Sequence, residues 1–390
     1  MFIKNQFIQN KLVLHLMEKE KFELLTTSSN QTEYLLWRTN KRVTDIVRVS
    51  LTSYDWKRDL DRDVDQLEKR VADNIQLPFF QQRIAFHHVF IVNDEPVDDW
   101  DALQSRKSNV KKIDHSYVYM ITEHTDDEFP RFVQKVKLEL SLDWEPITDV
   151  FQIEYNTSLF KRRIQQIYHN KQKEMQSVFS HGKPRLSYLL IGINIIIFFL
   201  LELSGGSTNI ETLVKFGAKY NVAIIDGEWW RIITSMFLHI GIIHLALNML
   251  AIYFIGTLVE RIYGSTRFII IYFLAGIAGG VTSFAWNPSI AAGASGAIFG
   301  LFGALLFFGL KNPRIFFRTM GMNVLVMVAI NVVFGFSVEQ IDNGAHIGGL
   351  IGGFIASGIV MLPNTKVFMQ QLMAIVVYLF YIVGILTYGV

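Results

Sequence analysis

Residues 344–362 read GAHIGGLIGGFIASGIVML. Apart from His346 and Ser357, every position is apolar or glycine. Gly344, Gly348 and Gly352 recur at four-residue spacing, with Gly349 and Gly353 beside them. On a helix this spacing keeps small residues on one flank, and in lipid such a flank lets two backbones approach closely. An imidazole inside such a helix is costly to keep in a bilayer, so it either bonds a backbone carbonyl as a buried structural residue or marks a functional position.

Working outward, the 390-residue chain divides by composition. From Leu186 onward it is apolar, with charges in short islands. Since about 20 apolar residues cross a bilayer, seven spans are predicted, near 186–203, 235–256, 268–286, 295–311, 321–338, 344–362 and 367–389. Lipid cannot satisfy backbone hydrogen bonds, so each is expected to be a helix. The fourth and sixth are glycine-rich and short, which requires shielding by neighbours. Basic residues cluster before span one (Lys161, Arg162, Arg163, Lys171, Lys173, Lys183, Arg185), between spans two and three (Arg261, Arg267), and between four and five (Lys311, Arg314, Arg318). Lys366 lies between six and seven, while the opposite loops are acidic or neutral, as at Glu339 and Asp342. This pattern puts the N-terminal half in the cytoplasm and the C-terminus outside. Met1 to Leu12 lacks a basic region followed by an apolar core, so no cleaved signal peptide is expected.

Residues 1–175 have soluble composition and are predicted to form an α/β domain. A helix is expected near 5–18, strands at 22–26, 33–38 and 43–51, a helix near 57–75, and strands at 86–93 and 116–122. The order α-β-β-β-α-β occurs in nuclease-like folds, but no catalytic carboxylate–lysine set accompanies it. A polar helix over 156–180 leads through 176–185 to the membrane core, 186–362, and 363–390 adds the seventh span. Acidic runs at Asp94-Glu95 with Asp98-Asp99, and from Glu123 to Glu128, are candidate sites for a divalent cation. Adjacent His87 and His88 point to opposite faces of a strand and do not suit one metal.

With 37 Lys and Arg against 35 Asp and Glu, nothing suggests nucleic acid as a partner. The absence of cysteine excludes disulfides and thiolate chemistry. Inside the spans four polar residues stand out, His239, His244 and Asn248 on span two and His346 on span six, with Ser295 opening span four. All fall in the first half of spans that run the same way, hence at similar depth toward the outer face. Ser295 sits in Gly293-Ala294-Ser295-Gly296, where a helix start offers N–H groups to an oxyanion. His346 can act as its base near neutral pH. His244 and Asn248, four apart on one face, can donate hydrogen bonds to developing charge. His239 is a supporting residue. No acid pairs obviously with His346, which favours a Ser–His dyad over a triad.

These motifs resemble the rhomboid family: Gly-x-Ser-Gly at 293–296, Ala-His-Ile-Gly-Gly at 345–349, His-x4-His-x3-Asn at 239–248, Glu228-Trp229-Trp230-Arg231, and Glu260-Arg261-x-Tyr263-Gly264. The match covers about residues 183–362. The resemblance implies a six-helix core plus a seventh helix in a polytopic helical membrane protein, with Ser295 as nucleophile and His346 as base. It assigns His244, Asn248 and the Ser295 region to the oxyanion, and Trp230 and Arg231 to a loop lying partly in the outer leaflet. Glu260, Gly293 and Gly296 take supporting roles. It further implies cleavage of transmembrane proteins near the outer face without a cofactor, and partners in membrane quality control. Within the family the chain resembles a type with a soluble N-terminal domain and a seventh span; the tetratricopeptide repeats of that type do not occur in residues 1–390. The competing readings are a catalytically silent rhomboid-like binding or quality-control protein, and a transporter. The transporter predicts an internal repeat, which the sequence does not show. A zinc protease would need His-Glu-x-x-His, and an aspartyl protease two aspartates within spans; neither is present.

Overall fold

The computed structural model describes residues 2–40, 43–75, 83–122, 127–139, 149–338, 341–365 and 367–388. Two compact units emerge, Met1–Glu174 and Met175–Val390. Glu339, Lys366 and the Glu123–Asp126 part of the second acidic run lie outside the described residues.

In the first unit, α1 (Phe2–Glu18) precedes β1 (Glu23–Thr27), β2 (Glu33–Asn40) and β3 (Val43–Ser50). Then follow α2 (Lys57–Asn74), β4 (Arg83–Ile91), α3 (Asp101–Gln104), β5 (Ile113–Ile121), α4 (Glu128–Val136) and α5 (Val150–Val178). The sheet order is β1-β2-β3-β4-β5. The first three strands pair antiparallel and the last three parallel. A parallel pair needs a crossover, and α2 supplies it between β3 and β4. Alternation sorts the core. Val47, Val49, Val89 and Tyr119 pack with Leu12 and Leu16 of α1, while Ile46, Ile84 and Phe86 pack with Leu67 and Val71 of α2. One strand residue therefore faces one helix layer and the next faces the other. β4 begins at 83 and β5 at 113, three residues earlier than the sequence reading, while α3 and α4 are short helices that reading did not contain.

His87 and His88 do face opposite ways. His87 Nδ1 lies 3.1 Å from the Tyr119 hydroxyl, and His88 Nε2 lies 3.3 Å from Glu68. The acids at 94–99 are engaged locally: Asp98 accepts from the Lys57 amide, Glu95 from Trp100 Nε1 and Asp99 from the Asp101 amide. Among the described residues no three His, Asp or Glu side chains converge as a metal site.

In the second unit α6 (Arg185–Leu203) is span one. A loop with three short helices follows: α7 (Ile210–Lys215), α8 (Asn221–Ile225) and α9 (Arg231–Thr234). Span two is α10 (Gly241–Ala251), a π-helical turn (Ile252–Gly256) and α11 (Thr257–Tyr263). This corrects the expected 235–256. Residues 235–237 form a 3-10 turn, Leu238 is extended, and Gly241 adopts φ +78°, so a continuous helix cannot start before 241. His239 therefore precedes span two rather than lying on it. The remaining helices are α12 (Ser265–Trp286), α13 (Ser295–Lys311), α14 (Pro313–Thr319), α15 (Gly321–Ser337), α16 (Asn343–Val360) and α17 (Phe368–Tyr388). Among the described residues five helices are long and apolar enough to cross a bilayer, and α14–α15, bent by 74°, brings the number to six if the pair is one span. α13 has only 17 residues, and most of them are buried by neighbouring helices.

The glycines of α16 serve two partners. Gly348 and Gly352 press against Thr282 and Ala278 of α12, whereas Gly349 and Gly353 press against the Gly296 and Gly300 backbone of α13. A methyl group at Gly349 would overlap the Gly296 carbonyl oxygen, so this approach requires glycine. α16 is thereby wedged between the helices that flank it.

Candidate active site

The site begins at a bend. Gly293 has φ +144°, a conformation that a side chain opposes, and its amide donates to the Ser235 carbonyl at 2.9 Å. A Cβ here would sit 2.8 Å from the His244 ring and 3.8 Å from Ser295 Oγ. The absence of a side chain at 293 thus brings the His244 imidazole and the Ser295 hydroxyl to the same small volume. Ser295 is the first residue of α13, with its hydroxyl beside the unpaired amides of that terminus.

His346 lies in the first turn of α16. Its ring stacks on Phe299 with centroids 4.1 Å apart and planes 11° apart. Phe299 is four residues beyond Ser295, so the two share one face of α13, and a helical side chain leans toward the N-terminus. The imidazole therefore lies over the turn that begins at Ser295. His346 Nδ1 has no hydrogen-bond partner among the described residues. Catalytic hydrogen bonds often tighten only when substrate is bound.

His244 Nδ1 accepts from the Ile240 amide at 3.4 Å, which leaves the ring proton on Nε2, the nitrogen facing Gly293. Asn248, one turn on and buried, uses one amide hydrogen to bond the His244 carbonyl at 2.9 Å. His239 is fully buried with its ring 5.3 Å from that of His244. Gly296 sits where a Cβ would lie 3.2 Å from the Ala345 carbonyl, which keeps α13 and α16 in register.

Three of the expected site residues stand apart from this cluster. Arg231 is buried, with Nη1 donating to the Val214 and Ala218 carbonyls and its guanidinium 4.7 Å from the Trp230 ring centre. It organises the 204–234 loop from within, while Trp230 is half exposed. Glu260 accepts from the Leu186 and Ser187 amides and from the Ser187 and Ser265 hydroxyls, tying spans one, two and three together. Asp342 caps α16 by accepting from the Ala345 amide at 2.9 Å and also bonds the Ser283 hydroxyl. Its carboxylate is thus committed to the helix end rather than to His346.

Two neighbours had no role in the sequence reading. Phe299 was one apolar residue among many, though its i+4 spacing from Ser295 was a usable signal. Lys219 is buried in the loop and donates through Nζ to the carbonyls of Asn287, at 2.5 Å, and Ser283. Its backbone pairs with Ala291, clamping the loop to the segment that carries Gly293. Lys219, Ser235, Gly293, Ser295, Asp342 and Ala345 line a cavity of about 40 Å³, room for a water molecule.

Residues 226–364 match the model of the Rhomboid domain. The chain is 40% identical over 352 residues to the rhomboid protease GluP of Bacillus subtilis (strain 168), covering 88% of this chain and 67% of that protein. It is 37% identical over 140 residues to the putative rhomboid protease YdcA of the same organism, covering 35% and 70%. To the rhomboid protease AarA of Providencia stuartii it is 31% identical over 215 residues, covering 48% and 76%. The apolar helices make it a multi-pass membrane protein, and the long match to GluP decides its kind: the chain belongs to the rhomboid family of intramembrane serine proteases.

Proposed function

We propose that Ser295 and His346 form the catalytic dyad and that the chain cleaves transmembrane segments of other membrane proteins near one face of the bilayer. The observation that carries this reading is the imidazole stacked on Phe299, over the turn that Ser295 opens. His346 takes the proton of the Ser295 hydroxyl as Oγ attacks the scissile carbonyl. The carbonyl oxygen becomes an oxyanion, which accepts hydrogen bonds from the Ser295 amide, Asn248 Nδ2 and His244 Nε2. Collapse expels the amine, which receives the proton from His346 and leaves an acyl-enzyme. Water then attacks the ester with His346 again as base, releasing the acid and restoring Ser295. The cavity beside Ser295 is a polar place for that water. No step calls for a cofactor.

The basic residues Arg185, Arg261, Lys311 and Arg314 follow the cytoplasmic pattern, which supports a cytoplasmic N-terminal domain and an active site opening to the outside. Residues 1–175 carry none of the catalytic motifs, and we read them as regulatory or substrate-recruiting, with membrane quality-control proteins as the class of partner.

Fluorophosphonate labelling in detergent, followed by mass spectrometry, tests the dyad. The adduct is expected on Ser295, with labelling abolished in Ser295→Ala and lost in His346→Ala. Labelling at full rate in His346→Ala would overturn the assignment of the base.

A further inference from the structure

A second cavity, of about 480 Å³, opens where spans one and three begin. Lys183, Arg185 and Arg267 line it together with His181, Gly264 and Ser265. It is an open depression whose rim is joined by hydrogen bonds. The Gly182 amide donates to the Arg261 carbonyl at 3.0 Å, and the Ser265 hydroxyl, which donates to Glu260 at 2.6 Å, lies 3.3 Å from the Lys183 carbonyl. Arg267 is held by bonds from Nε to the Val360 carbonyl and from Nη1 to the Tyr263 carbonyl. The acid nearest this wall, Glu260, already accepts from two amides and two hydroxyls. The ion pairs formed among the described residues do not include Lys183, Arg185 or Arg267. The cleft thus carries cationic charge that the carboxylates among the described residues leave unpaired.

The cleft lies far from the catalytic residues. Val360 ends α16 fourteen positions beyond His346, about 21 Å along the helix at 1.5 Å per residue. Arg185 is the first residue of one apolar span, and Arg267 lies in the first turn of another, which is interfacial depth in a bilayer. One turn inward from Arg185, Tyr188 and Leu189 are exposed on α6 as an apolar strip. A cationic cleft above an apolar strip at the membrane boundary matches a phosphate headgroup with attached acyl chains.

We infer that this cleft binds the phosphate of an anionic phospholipid. Lys183 and Arg185 supply mobile charges, Arg267 a fixed one, and the acyl chains run down α6 past Tyr188. A bound lipid of this kind would fasten the starts of α6 and α12 to the end of α16, the helix that carries His346.

The full-length protein, purified in detergent, is titrated with phosphatidylglycerol or with phosphatidylcholine of the same acyl chains, and bound lipid is read by native mass spectrometry. Phosphatidylglycerol should be retained preferentially, and Lys183→Gln with Arg185→Gln should reduce that preference by about five-fold for each cation removed. Both side chains are exposed, so folding is not at stake, and an unchanged melting temperature verifies this. Lys311→Gln with Arg314→Gln, an equal loss of charge elsewhere, should leave the preference intact. Equal retention of the two lipids, an undiminished preference in the Lys183/Arg185 variant, or an equal loss in the Lys311/Arg314 variant would each overturn the site. Displacement by inorganic phosphate at the lipid's own concentration would instead identify a soluble-phosphate site and overturn the lipid assignment.

Discussion

The His346 imidazole lies flat on the Phe299 ring, 4.1 Å between centroids, so the ring against which the proposed base rests is carried by the same helix as the proposed nucleophile, Ser295. An aromatic stack of this kind is worth about 0.5–1.5 kcal/mol beyond buried area. Phe299→Leu should therefore slow Ser295 acylation by roughly 2- to 10-fold, while Phe299→Tyr should retain the rate. Measuring probe labelling alongside thermal unfolding separates orientation from stability. A Leu variant that labels at the parental rate would show that the glycine contacts of α16 alone place the imidazole.

Asn248 presents a different test, because it is carried by α10 rather than by α13 or α16. One amide hydrogen is bound to the His244 carbonyl at 2.9 Å, which fixes the side chain. Losing a preorganised oxyanion donor typically costs about 100-fold or more, and the sharing of this role with His244 and the Ser295 amide that we propose softens it. Asn248→Ala should lower kcat by roughly 10- to 100-fold with little change in KM. A change confined to KM would assign Asn248 to substrate docking.

Ser295 and His346 were legible in the sequence because polar atoms in an apolar run stand out, and the order of the spans followed from hydropathy alone. The start of span two was not. Residues 235–240 are as apolar as a helix, and only backbone conformation, down to Gly241 at φ +78°, shows that the chain turns there. Lys219 was illegible for the opposite reason. A lysine in a loop normally belongs to solvent, and its burial depends on carbonyls at Ser283 and Asn287, more than sixty residues away. In the soluble half, strand alternation revealed the sheet, whereas the parallel pairing of β3, β4 and β5 arises from a crossover that no local pattern encodes.

The N-terminal domain should lose stability in mild acid. His87 is buried, with Tyr119 3.1 Å and Asp45 3.9 Å from its ring nitrogens, and burial pushes its pKa from 6.5 down to about 3. Burial also lowers His88. A pKa depressed on folding gives stability that is full above the unfolded value of 6.5 and is lost as pH falls toward the folded value. Burial pushes the Asp45 carboxyl up, which acts in the opposite sense. Intrinsic-rate-corrected hydrogen exchange of β4 amides should thus lose protection by up to about tenfold per pH unit and per histidine between about pH 7 and pH 5. His87→Gln should reduce that slope by about half. A slope unaffected by the substitution would mean that the domain opens without exposing His87.

Membrane orientation can be tested without reference to the chemistry, since the chain has no native cysteine. Asp342 would be a natural reporter of the active-site end, but its carboxylate caps α16 and bonds the Ser283 hydroxyl, so replacing it would disturb the His346 helix. Ser289, exposed just beyond α12, and Asp226, exposed in the loop before α9, report the same end without that penalty. Lys311 and Arg314 report the other. Single cysteines at Ser289 and Asp226 should react with an impermeant thiol reagent in intact cells, and those at Lys311 and Arg314 only after permeabilisation. Positive charge retained on the cytoplasmic side demands this asymmetry, because Arg185, Arg261, Lys311 and Arg314 all lie at the end opposite Ser295. The reverse labelling would place Ser295 toward the cytoplasm and refute the charge argument, while leaving the dyad itself untouched.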